Sequence, residues 1–359
     1  MAKDARIDVF KGILILLVVA GHFLLQFVSY DRAFELLYWW IYLVHMPAFS
    51  LCSGIVIRSP ERSARSAARS LIPVYVGFSL LHVTIRTVEV AGVTWTLVPL
   101  LFPGLHWYLL SLMLWRLALV WVVRLPRWVS LAGAVTASLL IGFVPHAGSF
   151  LSISRTVVFF PFFLAGYFIG IDGFGRLCQR LSPVVALVPF VGISALAVVF
   201  TFTDGFRISQ LTGKKPYVET SADLWQALVV RLAAMVCTAL LVCVVSAVLA
   251  RDSSHVKNQG SFAWLARIGS VSMSVYLLHL YFVYPLSWVN LNTWPVWAMW
   301  LVILGGTTIA VAVTASQPAV VLVARLSNIF LKVWDIGARR LRPRPRPRSI
   351  SGDGAQRNS

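Results

Sequence analysis

Long apolar stretches alternate with short polar ones along the whole chain, and the stretches have the length of membrane-crossing segments. Runs such as Ile13 to Val19, Val184 to Val199 and Val296 to Val313 are almost continuously apolar. About 20 such residues cross a hydrocarbon core when coiled into a helix. About ten segments qualify, each bounded by charge, proline or glycine: 7–28, 36–57, 70–88, 105–124, 127–144, 152–171, 184–202, 224–249, 269–289 and 296–322. The predicted fold class is all-α integral membrane, a bundle of about ten transmembrane helices. The first stretch has no small-residue cleavage site and is followed by further spans, so it is expected to stay as the first helix.

Composition agrees. The 359 residues are 58% hydrophobic and 12% charged, against about 25% charged in an average soluble domain, which excludes a water-soluble fold. A net charge of +18 would point a soluble protein toward nucleic acid, but here the basic residues punctuate the apolar spans and form no single patch. They report topology, and no nucleic-acid partner is expected. With sides alternating, one side receives Lys3, Arg6, Lys11, the arginines 58, 62, 65 and 69, Arg124, Arg127, Arg176, Arg180, Arg251, Lys257, Arg267 and the tail. The other receives Arg32, Arg86, Arg155, Arg207, Lys214 and Lys215. The positive-inside rule then places both termini in the cytoplasm, as for a multi-pass protein of the cell membrane.

Two domains are expected: a transmembrane domain over 1–335, and a basic tail over 336–359 in which Arg339 to Arg348 interleave with Pro343, Pro345 and Pro347. The tail cannot bury a core, is expected to be disordered, and is suited to anionic inner-leaflet lipids at about 1 kcal/mol per basic residue. The polar loop from Thr203 to Asp223 is long enough to touch a substrate on the outer side. The cysteines at 52, 178, 237 and 243 have no metal-ligand spacing and read as small hydrophobes.

An ionisable side chain within a span costs about 2.5–3.5 kcal/mol at the helix centre and asks for a reason. Asp8, Lys11 and His22 occupy the first span, and Lys11 and His22 fall within about 20° of one helix face, about 16 Å apart. A neutral imidazole is the side chain best suited to take a proton from a hydroxyl near pH 7, which makes His22 the candidate general base. A single intramembrane histidine can also merely bond a neighbouring helix. Arg58, Arg62, Arg65 and Arg69 are spaced to share one face on the cytoplasmic side. Arginine pairs well with phosphate, and topology or headgroup binding is the alternative. His45 precedes Pro47 and is able to satisfy a backbone carbonyl freed by the proline. Tyr38, Trp39, Trp40 and Tyr42 read as an interfacial aromatic belt in preference to a sugar platform. His82, His146 and His255 match no pattern, and no cluster has metal-ligand spacing.

The stretch from Arg6 to His22, RIDVFKGILILLVVAGH, resembles the opening helix of the acyltransferase-3 superfamily, where a basic residue is followed eleven positions later by a histidine. Its Arg-x-Asp-x-x-Lys-Gly form resembles the fucose 4-O-acetylase-like branch. Four later segments resemble the family in order and spacing: HMPAFSLCSG from His45, LHWYL from Leu105, FFPFFLAGY from Phe159, and IGSVSMSVYLLH ending at His279. The resemblance implies a membrane O-acyltransferase that moves an acyl group, acetyl in the first instance, from acyl-CoA to a hydroxyl of an extracytoplasmic or lipid-linked sugar. Carried onto this chain, it makes His22 catalytic with Lys11 and Asp8 in support, and gives the arginine face, Arg65 and Arg69 above all, to acyl-CoA. His45, His106, Trp107, Arg155, Tyr276 and His279 are read as acceptor contacts or structural support. Acyl-CoA is the co-substrate, and no metal is implied. The reading from a different class is a transporter or flippase of acyl donors or glycolipids without chemistry.

Overall fold

A computed structural model describes residues 5–89, 98–101, 103–104, 106–145, 147–148, 150–181, 186–220, 223–249 and 262–341. Among them the secondary structure is helical throughout, with no strand, as the apolar periodicity predicts. The principal helices are α1 (Ala5–Leu24), α2 (Arg32–Ile55), α3 (Pro60–Ser66), α4 (Ile72–Glu89), α5 (Trp107–Val122), α6 (Arg127–Leu140), α7 (Ile153–Arg180), α8 (Leu187–Phe202), α9 (Leu224–Val248), α10 (Ala263–Ser270), α11 (Ser272–Leu278), α12 (Val296–Thr314) and α13 (Gln317–Leu341).

Among the described residues, six stretches are long and apolar enough to cross a membrane: α1, α2, Pro60–Ile85, Phe150–Arg180, α9 and α12. A seventh, Ala263–Ser270 with Ser272–Trp288, is bent by 63°, and α5, Arg127–Phe143 and α8 are shorter apolar helices. The chain is therefore a multi-pass membrane protein, with six or seven full-length spans among the described residues.

Local chemistry sets the boundaries. Asp31 caps α2 by accepting from the Ala33 N–H at 2.7 Å. Ser59 accepts from the Arg62 N–H at the start of α3, with Pro60 in the first turn where a missing N–H costs nothing. Between α3 and α4 the chain widens into a π-turn over Ala67–Leu71, a feature frequent at functional sites. Two predicted boundaries shift. The span predicted at 269–289 begins at Ala263 and breaks after Ser270. The one predicted at 296–322 ends at Thr314, and a separate amphipathic helix runs from Gln317 to Leu341. Val323, Leu326 and Phe330 turn to the core on its inner side. Residues 342–359 of the expected tail lie outside the described residues, as do Lys3, Arg251, Lys257, His146 and His255.

Backbones meet at two glycine crossings. A Cβ on Gly54 would overlap the Phe163 carbonyl and one on Gly166 the Leu51 carbonyl, so α2 and α7 touch through reciprocal glycines. Likewise a Cβ on Gly12 would overlap the Leu265 carbonyl and one on Gly269 the Asp8 carbonyl, which locks α1 to α10. Even Gly269→Ala is therefore expected to force the two helices apart. Overpacking of about 1–3 kcal/mol lowers the melting temperature of the detergent-purified protein by about 5 °C. Gly305→Ala in α12, where an added Cβ meets nothing within 4 Å, is expected to be neutral or slightly stabilising. Equal melting of the two variants would refute the crossing.

Candidate active site

Three elements carry histidines to one place near the C-terminal end of α1. His22 lies in the last turn of α1, and its ring centroid is 5.1 Å from that of His279, just past α11, with the rings tilted by 45°. The α1–α10 glycine crossing fixes this pairing, because the same broken helix that touches α1 at Gly269 carries His279 ten residues later. His45 and Arg155 also lie within electrostatic reach of the His22 ring.

Two of the histidines have an assigned proton. His45 is 2% exposed and its Nδ1 lies 2.8 Å from the Ile41 carbonyl. His279 is 1% exposed and its Nδ1 lies 3.0 Å from the Val275 carbonyl and 2.9 Å from that of Tyr276. A carbonyl only accepts, so Nδ1 carries the hydrogen in both rings and Nε2 keeps its lone pair. His279 Nε2 is buried without a hydrogen-bond partner. The carbonyl His45 satisfies is that of Ile41, one turn back, and not the Leu43 carbonyl freed by Pro47.

Aromatic rings and one cation complete the wall. On α2 the spacing of Tyr38, Tyr42 and His45 puts them on one face. Tyr38 stacks on Tyr42 at 3.8 Å, and Tyr42 meets His45 edge-on at 4.5 Å. Tyr38 and Trp39 are almost fully buried, and Trp39 packs on Phe200. Tyr38 and Trp39 of the expected belt are thus interior, while Trp40 packs on Phe190 and lines a separate groove with Trp300. Arg155 enters from the first turn of α7. Its guanidinium lies 4.7 Å from the Trp107 ring centroid, and its Nε donates to the Thr212 carbonyl at 3.3 Å. Its charge also reaches Tyr276, Tyr42 and Tyr38. Among the described residues no carboxylate pairs with it.

The turn before α7 aims Arg155. Leu151 and Ser152 both have positive φ, 45° and 53°, a left-handed conformation that costs side-chain-bearing residues about 1–3 kcal/mol each. Ser154 Oγ then donates to the Gly213 carbonyl at 2.7 Å. The loop expected to meet substrate is thus tied down beside Arg155. Lys214, on this loop, is lowered by partial burial first and by the neighbouring Arg155 and Lys215 next.

His106 precedes α5 and shares a 3.3 Å contact between its Nδ1 and Ser79 Oγ. His82 sits 6.0 Å from the His106 ring, between Tyr281 at 6.0 Å and Tyr284 at 5.5 Å. It belongs to this wall although no sequence pattern signals it. The Tyr276 phenol lies against the backbone of Tyr108 and Leu109, at the α5 end whose N–H groups lack helical partners.

The other candidates lie apart. Lys11 Nζ bonds Asp8 Oδ1 at 2.6 Å in the N-terminal half of α1, and the charges that reach His22 do not include this pair. Cys52 is beside it, and Ser53 shares a 2.7 Å hydrogen bond with Tyr108, whose hydroxyl donates to the Phe49 carbonyl. Arg58, Arg62, Arg65 and Arg69 are all exposed, while Pro60, Ala64, Ala67 and Leu71 turn inward. Arg62, Arg65 and Arg69 therefore line the outside of α3 and the π-turn, while Arg58 lies in the non-helical link before α3, off the shared helix face that the spacing predicts.

A groove of about 650 Å³ between α4 and α13 is lined by residues such as Val76, Leu80, Phe330 and Trp334, and by no titratable side chain among the described residues. Among the described residues no three His, Cys, Asp or Glu side chains converge as metal ligands.

A family model described as an acyltransferase domain matches residues 4–316. No curated protein and no solved structure matches the chain.

Proposed function

Since the chain belongs to the acyltransferase-3 family, we propose that it is an O-acetyltransferase of the fucose 4-O-acetylase-like branch. It takes an acetyl group from acetyl-CoA on the cytoplasmic side and delivers it to a hydroxyl of an extracytoplasmic or lipid-linked sugar. The ten apolar helices are its spans, and both termini face the cytoplasm.

The observation that carries this reading is the convergence of His22, His279, His45 and Arg155. In net terms an ester C–O bond forms, the thioester C–S bond breaks, and the hydroxyl proton ends on the CoA sulfur. His22 is the base that carries it. Arg155 is the cation that faces the oxygen on which negative charge develops at the acyl carbon. The Asp8–Lys11 pair stands between this centre and the cytoplasm, where it supports the donor's approach instead of touching the reacting atoms.

The exposed arginines of α3 and the π-turn are the site for the donor's phosphates. Arg65→Ala or Arg69→Ala is expected to raise the KM for acetyl-CoA about tenfold, the worth of a charge-assisted hydrogen bond, with kcat unchanged. A fall in kcat at constant KM would move these residues out of donor binding.

The deciding assay is CoA release from acetyl-CoA by purified protein with a panel of fucosylated and other sugars. Acceptor-dependent release supports the proposal. Folded protein that binds acetyl-CoA but releases none with any sugar counts against the sugar class, and failure to bind acetyl-CoA removes the donor. Movement of an intact acyl donor or glycolipid across vesicles without product favours the transporter alternative.

A further inference from the structure

His279 is buried to 1% exposure, two main-chain carbonyls hold its Nδ1–H, and its Nε2 is left without a partner. An unsatisfied buried acceptor costs about 1–3 kcal/mol. A ring restrained by two carbonyls cannot swing away to find a partner, so one must come to it.

The nearest titratable ring is His22, at 5.1 Å between centroids. Two imidazoles joined by an N–H···N bond stand about 5 Å apart, since each nitrogen lies about 1.1 Å from its ring centre and the bond itself spans about 2.9 Å. The spacing therefore already matches. The orientation does not, because the rings are tilted by 45°. His22 is the more accessible of the two and carries no main-chain restraint of the kind that holds His279. Its rotation closes the bond.

We propose that His279 is the positioning residue of His22: its Nε2 accepts the His22 N–H, fixes the tautomer, and leaves the other His22 nitrogen bare toward the acceptor hydroxyl. This inference rests on His22 as the base, and gives that base an imidazole partner where the better-known arrangement uses a carboxylate. When His22 takes the hydroxyl proton, the imidazolium keeps one N–H on His279 and presents the other to the leaving sulfur, so no charge need be found elsewhere. His45 and Arg155 face the same ring. His45 offers a second bare Nε2, but its Nδ1 is held by one carbonyl only, and Arg155 has no acceptor to offer.

The test compares His279→Leu with His279→Gln, whose side-chain oxygen reaches about as far as Nε2 and accepts but takes no proton. His279→Leu is expected to lower kcat about 100-fold, as loss of a ligand-orienting partner does, with the KM values for acetyl-CoA and sugar within about threefold of wild type. His279→Gln is expected to recover at least about tenfold of the loss. Nitrogen-15 NMR of histidine-labelled wild type is expected to show His22 as one tautomer, independent of whether any variant folds. Wild-type kcat in His279→Leu, equal loss in both variants, or a mixed tautomer at His22 would overturn the proposal. Activity surviving in His22→Ala would instead remove the base itself, a separate failure.

Discussion

Replacing His22 by alanine is expected to lower acceptor-dependent CoA release by about 10²–10⁴-fold, the range general-base catalysis contributes, while leaving membrane insertion and acetyl-CoA binding intact. The separation follows from the geometry. His22 lies in the last turn of α1, and the close backbone contact of that helix with α10 is made at Gly12, about three turns away. Loss of an imidazole from a partly accessible position leaves the α1–α10 crossing untouched. The measurement is kcat and donor affinity on the same purified sample. Transfer at more than a tenth of the wild-type rate would end the role of His22 as base.

Arg155→Leu is expected to lower kcat by about 10²–10³-fold, the cost of removing one donor to a developing oxyanion. It is the cation whose field reaches His22 and the three tyrosines Tyr38, Tyr42 and Tyr276, and no described carboxylate neutralises it. Arg155→Lys keeps the charge but loses the planar fork that lies on Trp107 and reaches the Thr212 carbonyl, so its rate is expected to fall between the two. If leucine and wild type turn over equally, Arg155 serves only to tie the outer loop to α7, and a lower melting temperature alone will show it.

Much of this fold is legible from apolar run length. Every stretch read as a span is helical over most of its length, because backbone groups in hydrocarbon must bond within their own segment. The breaks are less legible. The 63° bend after Ser270 lies in a small-residue run that reads equally well as a straight helix, and the left-handed turn at Leu151 and Ser152 carries no glycine to announce it. The site divides in the same way. His22 stands out as the lone imidazole of its span, and Arg155 and His279 attract notice as polar groups near span ends. Nothing in the spacing says that His279, 257 positions further along the chain, meets His22, nor that Tyr38 and Trp39 turn inward. Asp8 and Lys11 share a face with His22 in sequence, and about three to four turns of helix separate them from it.

The matched domain closes at residue 316, and α13 begins at the next residue. The helix lies beyond the matched residues and packs back on them at α4. Phe330 sits where a Cβ on Gly77 would be, with its ring edge-on to Phe78 at 5.4 Å. A side chain at 77 therefore displaces the C-terminal helix, and α4 keeps at this position an indentation shaped to one ring.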